Sequence, residues 1–313
     1  MENKTSANDH RALDRRTFVK RAGFAGVGAA ALTFLGGASS KLLAKSGPAS
    51  FSSLISSSAA ATTPDTAQDI FTAALIAEDL AVTTYYNALV GGVIQDPNLS
   101  GPGGTATKIG TGGQADNVAY LRAALNEEMT HGNLLRGLIG GSTFAGDPFQ
   151  TFYFPAGTFD TLEGFIPIIL ALENAFIGAY LTAVKELGNM AVETQAGTVM
   201  QFGPDGVAYT TAQLTYYAEV AASIMGVECE HRVLARTIPD LASFQGISLI
   251  PADNVNYEQV DGLETVFNGP HSAVVALTPF ITPSTGPAFS LATAQENAGS
   301  VLLPTKGGLP PAA

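Results

Sequence analysis

The chain has 313 residues, of which 46% are hydrophobic and 13% charged, and it carries a net charge of −12 at neutral pH. That is enough apolar sequence to bury a sizeable core in one or two globular domains. The single cysteine, Cys229, excludes an internal disulfide and any CxxC redox or zinc element, and the acidity argues against nucleic acid and anionic lipid as partners.

In chain order, DRRTFVK (Asp14 to Lys20) leads into the small-residue run AGFAGVGAAALTFLGG and then ASSKLLAKS, the three-part layout of an export signal. With Arg15, Arg16, Phe18 and Lys20 in place, it resembles a twin-arginine signal, which implies passage through the twin-arginine export machinery to the periplasm or the extracellular side. A membrane anchor is the alternative, but the run is short against the roughly 20 residues that a span needs. Residues 1–45 are therefore read as a signal, with Ser40 and Ala44 as alternative cleavage points. Eight of the 15 Lys/Arg and three of the 27 Asp/Glu lie in that segment, so the remainder holds 7 basic against 24 acidic residues, a net of −17. Residues 46–62 (SGPASFSSLISSSAAAT) are a flexible low-complexity linker.

Four long segments with apolar residues at helical spacing follow over residues 63–240. The first starts near Thr63, with Pro64 suited to the first helical position, and ends at Gly91 and Gly92. QADNVAYLRAALNEEMTHGNLLRGLI is the second, stopped by Gly140 and Gly141. In the third, Asp160 and Glu163 suit a capping box before GFIPIILALENAFIGAYLTAVKEL, with Gly188 and Asn189 as its stop. The fourth runs from near Thr211 until Pro239. Helices of this length, about 36 to 45 Å, are the expectation for an all-α four-helix bundle. Residues 92–113 and 190–209 read as Gly-rich surface loops. The aromatic stretch GSTFAGDPFQTFYFPAGT reads as a long crossover between helices two and three. Residues 241–313 form an irregular Pro/Gly-rich extension, a wrap or lid with one short helical segment near HSAVVAL.

The helices repeat pair by pair. Helix two holds Glu128, His131, Leu134 and Arg136, and helix four holds Glu228, His231, Leu234 and Arg236, both as E-x-x-H-x-x-L-x-R. Helices one and three each carry E-x6-Y, as Glu78 with Tyr85 and Glu173 with Tyr180. Residues three apart share one helix face with Cβ atoms roughly 5 to 6 Å apart, so each Glu-x-x-His pair can present a carboxylate and an imidazole to one ion. Four carboxylates buried together without cations would cost several kcal/mol each. Two divalent ions neutralise them, and such pairs sit about 3.5 to 4 Å apart.

One Glu-x-x-His alone is an ordinary solvated pair; two copies in matching register are not. Glu127 competes with Glu128 as the donor on helix two, and the match with Glu228 favours Glu128. Glu230 points away from the Glu228–His231 face, Cys229 reads as a small packing residue, and His271 reads as an exposed tail residue. Tyr86, Tyr216 and Tyr217 read as bundle or interface tyrosines, and Arg136 and Arg236 as helix-end or ion-pair residues.

On these residues the chain resembles the ferritin-like di-iron carboxylate proteins over about residues 66–238. Their pattern is one Glu from each of two helices and Glu-x-x-His from each of the other two. More narrowly it is similar to exported bacterial ferritin-like proteins related to plant desiccation-related proteins. The resemblance implies Glu78 and Glu173 as terminal ligands, Glu128 and Glu228 as bridges, and His131 and His231 as ligands to one metal each. Tyr85 and Tyr180 are then groups that orient the ligands from behind, through the bridging carboxylates. The implied function is that of an oxidoreductase acting in stress protection, whose two iron ions react with O2 or peroxide, with manganese as the alternative metal. A manganese catalase-like enzyme is the second expectation, and a non-catalytic metal-binding protein of desiccation stress is the third. An oligomer is compatible with this architecture, although the linker, loops and tail argue against a closed storage cage.

Overall fold

Thr66 opens the first helix by a reciprocal exchange: its hydroxyl accepts from the Asp69 N–H at 3.1 Å, while the Asp69 carboxylate accepts from the Thr66 N–H at 3.1 Å. Two of the orphan donors at a helix start are satisfied in this way, so the helix begins at Ala67, and Pro64 precedes it rather than occupying its first position. In this computed structural model, residues 64–96, 99, 116–237, 264–283 and 286–302 are described. The export signal, the linker, most of the first loop and residues 241–263 lie outside the described residues.

The bundle consists of α1 (Ala67–Val90), α2 (Asp116–Leu138), α3 (Leu162–Ala196) and α4 (Thr211–Thr237). The fold is all-α, with α1 packed chiefly on α2 and α3 on α4. Apolar residues recurring every three to four positions, such as Leu75, Val82 and Leu89 on α1 and Leu172, Phe176 and Ala183 on α3, face one shared core. The end of α1 presses against the crossover: the Gly92 N–H donates to the Phe159 carbonyl at 2.8 Å, and a Cβ on Gly92 would lie 2.1 Å from the Asp160 carbonyl oxygen. Glycine is required there by close backbone approach.

Two boundaries of α3 differ from the sequence expectation. Its start is capped by Thr161, whose hydroxyl accepts from the Gly164 N–H at 3.2 Å, and not by a box of Asp160 and Glu163. Its end is Ala196, so Gly188 and Asn189 lie inside the helix and the loop begins later than residue 190. Leu187, Met190 and Ala191 are buried in the core and carry the apolar period past the glycine. The stop is Gly197, left-handed at φ 69°, whose N–H bonds the Glu193 and Thr194 carbonyls. The α3 helix is apolar enough to cross a membrane, with a mean hydropathy of 1.6 over its most apolar window, but more than half of that window is buried in the molecule.

The crossover and the described parts of the C-terminal extension are more ordered than their composition suggests. β1 (Thr151–Tyr153) pairs antiparallel with β2 (Ala288–Ser290), placing Phe152 opposite Phe289. Phe154 packs edge-on to Phe159 at 4.9 Å and against Phe280 and Phe289 at 5.5 Å. The extension also forms α5 (Ala273–Ile281), where the HSAVVAL segment was expected to be helical, and α6 (Leu291–Asn297). His271 is half-buried rather than exposed, and its carbonyl accepts from the Glu264 N–H.

Acidic side chains of the bundle hold the extension at its other end. Asp65 accepts from the N–H groups of Phe267 (2.6 Å) and Asn268 (2.8 Å), and Glu186 accepts from that of Val266 (3.0 Å). Burial raises the pKa of Asp65; burial and then the Asp65 charge lift Glu186 to about 8. An acid held above its unfolded value of 4.5 binds its proton more readily when folded. Its contribution is full below pH 4.5, declines as pH rises, and is gone above about 8. Limited proteolysis of residues 264–302 should therefore accelerate between about pH 5 and pH 9, with rates normalised to an unfolded substrate, and Glu186→Gln should flatten that rise. An equal rise in the variant would show that Glu186 is not its source.

Candidate metal centre

Each bundle helix delivers acidic or imidazole donors to one level of the core. Glu78 comes from α1, Glu128 and His131 from α2, Glu173 from α3, and Glu228 and His231 from α4. All four carboxylates are at most 2% exposed. Their donor atoms form two overlapping groups, each with all atoms within 4.8 Å of one another: Glu78, Glu128, His131 and Glu228 in one, and Glu128, Glu173, Glu228 and His231 in the other. The structure thus brings together all six residues singled out from the sequence. Glu128 and Glu228 belong to both groups, the positions that the resemblance assigned to bridges.

Both imidazoles turn Nδ1 toward the carboxylates. His131 Nδ1 lies 3.4 Å from Glu78 Oε2 and 3.6 Å from both Glu128 Oε2 and Glu228 Oε1. His231 Nδ1 lies 3.0 Å from Glu128 Oε1, 3.3 Å from Glu228 Oε2 and 4.0 Å from Glu173 Oε1. The 3.0 Å approach is a charge contact without hydrogen-bond alignment, because both Glu128 oxygens lack a hydrogen-bond partner, as do Glu78 Oε2, Glu173 Oε2, Glu228 Oε1 and His131 Nδ1. Buried polar atoms are nearly always bonded. Six unpartnered atoms on residues that cluster so closely are what a cationic ligand would satisfy, and hard oxygen and imidazole nitrogen suit a divalent transition ion.

The electrostatics agree. Burial, then the Glu78 charge, raises the pKa of Glu128 to about 7; burial with the Glu228 and Glu128 charges raises that of Glu173 well above the ordinary range. Burial would lower the pKa of His131, but the facing Glu128 and Glu78 carboxylates override it and hold it at about 11. The cluster demands positive charge, which the two histidines meet only in part.

The tyrosines overturn one expectation. Tyr85 donates to Glu173 Oε1 at 2.5 Å, and Tyr180 donates to Glu78 Oε1. Neither reaches Glu128 or Glu228. Residue 85 lies level with 173 and 180 with 78, as happens when α1 and α3 run in opposite directions, so each phenol meets the other helix's carboxylate. Burial and those carboxylates push both phenol pKa values well above 10.0, keeping them protonated donors.

Glu127, the rejected alternative to Glu128, belongs to neither donor group; its Oε2 lies 2.8 Å from His231 Nε2, on the far side of the ring. Glu230 is exposed, Cys229 is half-buried with a free thiol, and neither joins the groups. Tyr86 and Tyr217 pack in or against the core, while Tyr216 is exposed. The Arg236 side chain lies outside the described residues. Sequence reading missed the buried Arg136 network behind Glu78. Its guanidinium donates to Asp147 at 2.6 and 2.9 Å and to Asp79 at 3.3 Å. The available signal was an aspartate directly after Glu78 on an apolar helix.

Residues 66–202 match the family model described as a ferritin-like domain. No curated protein and no solved structure matches the chain. The matched region covers α1 to α3 and stops before α4, which supplies Glu228 and His231.

Proposed function

Because the chain carries a ferritin-like domain, we propose that its core is a dinuclear metal centre, filled by iron or by manganese, in an exported oxidoreductase that reacts with O2 or peroxide during stress. One observation carries this reading: six buried ligand atoms from all four helices lack hydrogen-bond partners, on residues whose donor atoms gather within 4.8 Å in two overlapping groups. Two ions bound there supply electron exchange with oxygen species. Glu128 and Glu228, shared between the donor groups, would touch both ions; Glu78 with His131, and Glu173 with His231, would complete one position each. The phenols of Tyr85 and Tyr180 each hold one oxygen of Glu173 and Glu78 by a hydrogen bond, and the second oxygen of each carboxylate has no hydrogen-bond partner. Export is supported by the Arg15–Arg16 motif.

The test uses protein recovered outside the cytoplasmic membrane. It should contain about two Fe or Mn per chain and show O2 uptake with Fe(II) or peroxide consumption. The double variant Tyr85→Phe/Tyr180→Phe should keep its metal at saturating supply and lose at least about tenfold in turnover. Bound metal with negligible turnover in the parent would replace the enzyme reading by a structural one, and protein confined to the cytoplasm would remove export.

A further inference from the structure

The internal repeat matches Glu78 with Glu173, Glu128 with Glu228, His131 with His231 and Tyr85 with Tyr180, so two equivalent metal positions would be expected. The match fails one residue before the shared carboxylates: Glu127 stands on α2 where Val227 stands on α4. Glu127 Oε2 lies 2.8 Å from His231 Nε2. Among the described residues no carboxylate comes as near to His131 Nε2, since every carboxylate contact of that ring is made through Nδ1. Exposure follows the same division, with the His131 side chain 12% exposed and that of His231 3%.

We propose that the two metal positions are inequivalent and that Glu127 makes them so. The position formed by Glu128, Glu173, Glu228 and His231 takes its ion first and tightly, and the position at His131 fills second and exchanges. The inference rests on the dinuclear reading above. Glu127 is a positioning residue acting through His231. Accepting the Nε2 proton fixes the ring as the tautomer with a free Nδ1 lone pair, holds its orientation, and places a negative charge behind the donor. Carboxylates in that place are worth roughly 10 to 100-fold in metal affinity. The repeat sets the apolar Val227 at the position that answers to Glu127, so it offers His131 no such acceptor, and the His131 side chain is the more open to water.

The experiment is a Mn(II) titration of the metal-free full chain against a chromophoric chelator, followed in parallel by electron paramagnetic resonance. The parent should bind about two Mn(II) in two steps at least about tenfold apart, with an isolated-ion signal at one equivalent that gives way to a coupled-pair signal at two. Glu127→Ala should weaken the tight step by about 10 to 100-fold and leave the second unchanged, so that the steps merge; Glu127→Gln, which keeps an acceptor oxygen, should fall between. Val227→Glu should tighten the second step instead. His131→Ala should retain the tight step, and His231→Ala should lose it. Two equal steps in the parent, or an unchanged tight step in Glu127→Ala, would overturn the inequivalence while leaving the dinuclear centre standing. Fewer than two Mn(II) bound by the parent would overturn both. Glu127 has a side chain 43% exposed, so its loss does not threaten folding, and Val227→Glu tests the same idea by gain.

Discussion

Glu128→Gln should empty both metal positions, whereas Glu173→Gln should empty one. The substitution keeps the side-chain volume and removes a charge, so the bundle has no cavity to collapse into. Glu128 belongs to both donor groups and is fully buried, while Glu173 belongs to one. In the proposed dinuclear centre, losing a shared carboxylate would leave each ion with one donor fewer and the pair with one negative charge fewer. At the lowest metal supply that fills both positions of the parent, metal analysis should show about two ions per chain in the parent, near one in Glu173→Gln and well below one in Glu128→Gln. Glu228→Gln should behave like Glu128→Gln, and Glu78→Gln like Glu173→Gln. Equal losses in all four variants would mean that no carboxylate is shared.

The second large effect lies behind the centre. Arg136→Ala should cost about 3 to 5 kcal/mol, because it strips the cation from two buried aspartates. For a domain of this size that corresponds to a fall in melting temperature on the order of 10 °C. Asp79 and Asp147 are 1% and 7% exposed, and Asp79 Oδ2 already lacks a hydrogen-bond partner. Burial first, and then the Asp147 charge, raises the Asp79 pKa well above the ordinary range even with Arg136 present. In the variant the two acids face each other without it. Asp79 can still take up a proton, so the loss should shrink as pH falls toward about 5 and grow as pH rises, in the direction expected for an acid that is easier to protonate when folded. Adding Asp147→Ala should recover part of the stability, since removing both partners of a buried pair is cheaper than removing one. Losses that simply add in calorimetry would show that the three groups do not act together.

What the sequence made legible is what helix geometry alone determines. Glu128 with His131, and Glu228 with His231, are pairs within one turn, and their convergence requires only that four amphipathic helices bury their apolar sides. The partners of Tyr85 and Tyr180 required the relative direction of α1 and α3, which depends on a crossover whose path no local pattern reveals. Gly188 reads as a stop because glycine weakens a helix by roughly 1 kcal/mol, but the burial of Leu187, Met190 and Ala191 outweighs that, and Gly197 takes the left-handed conformation that ends the helix. Arg136 was legible as an ion-pair residue but not its partners. Asp79 and Asp147 come from another helix and from the crossover, and the contact exists only in three dimensions.

The pairing of β1 with β2 has a consequence in time. Among the described residues β1 pairs with β2 alone, Thr151 meeting Ser290, so a strand at residues 151–153 stays without that neighbour until residues 288–290 have been made. Contacts between such distant positions form late, because a long loop must close before they stabilise anything. Until then the Phe152 and Phe154 rings, buried in the finished molecule, lack the part of their cover that Phe280 and Phe289 supply. The helices can assemble first around their carboxylates. The seam between crossover and extension closes afterwards, and a chain interrupted in between would present an unpaired strand edge beside exposed aromatic rings, the combination most prone to self-association.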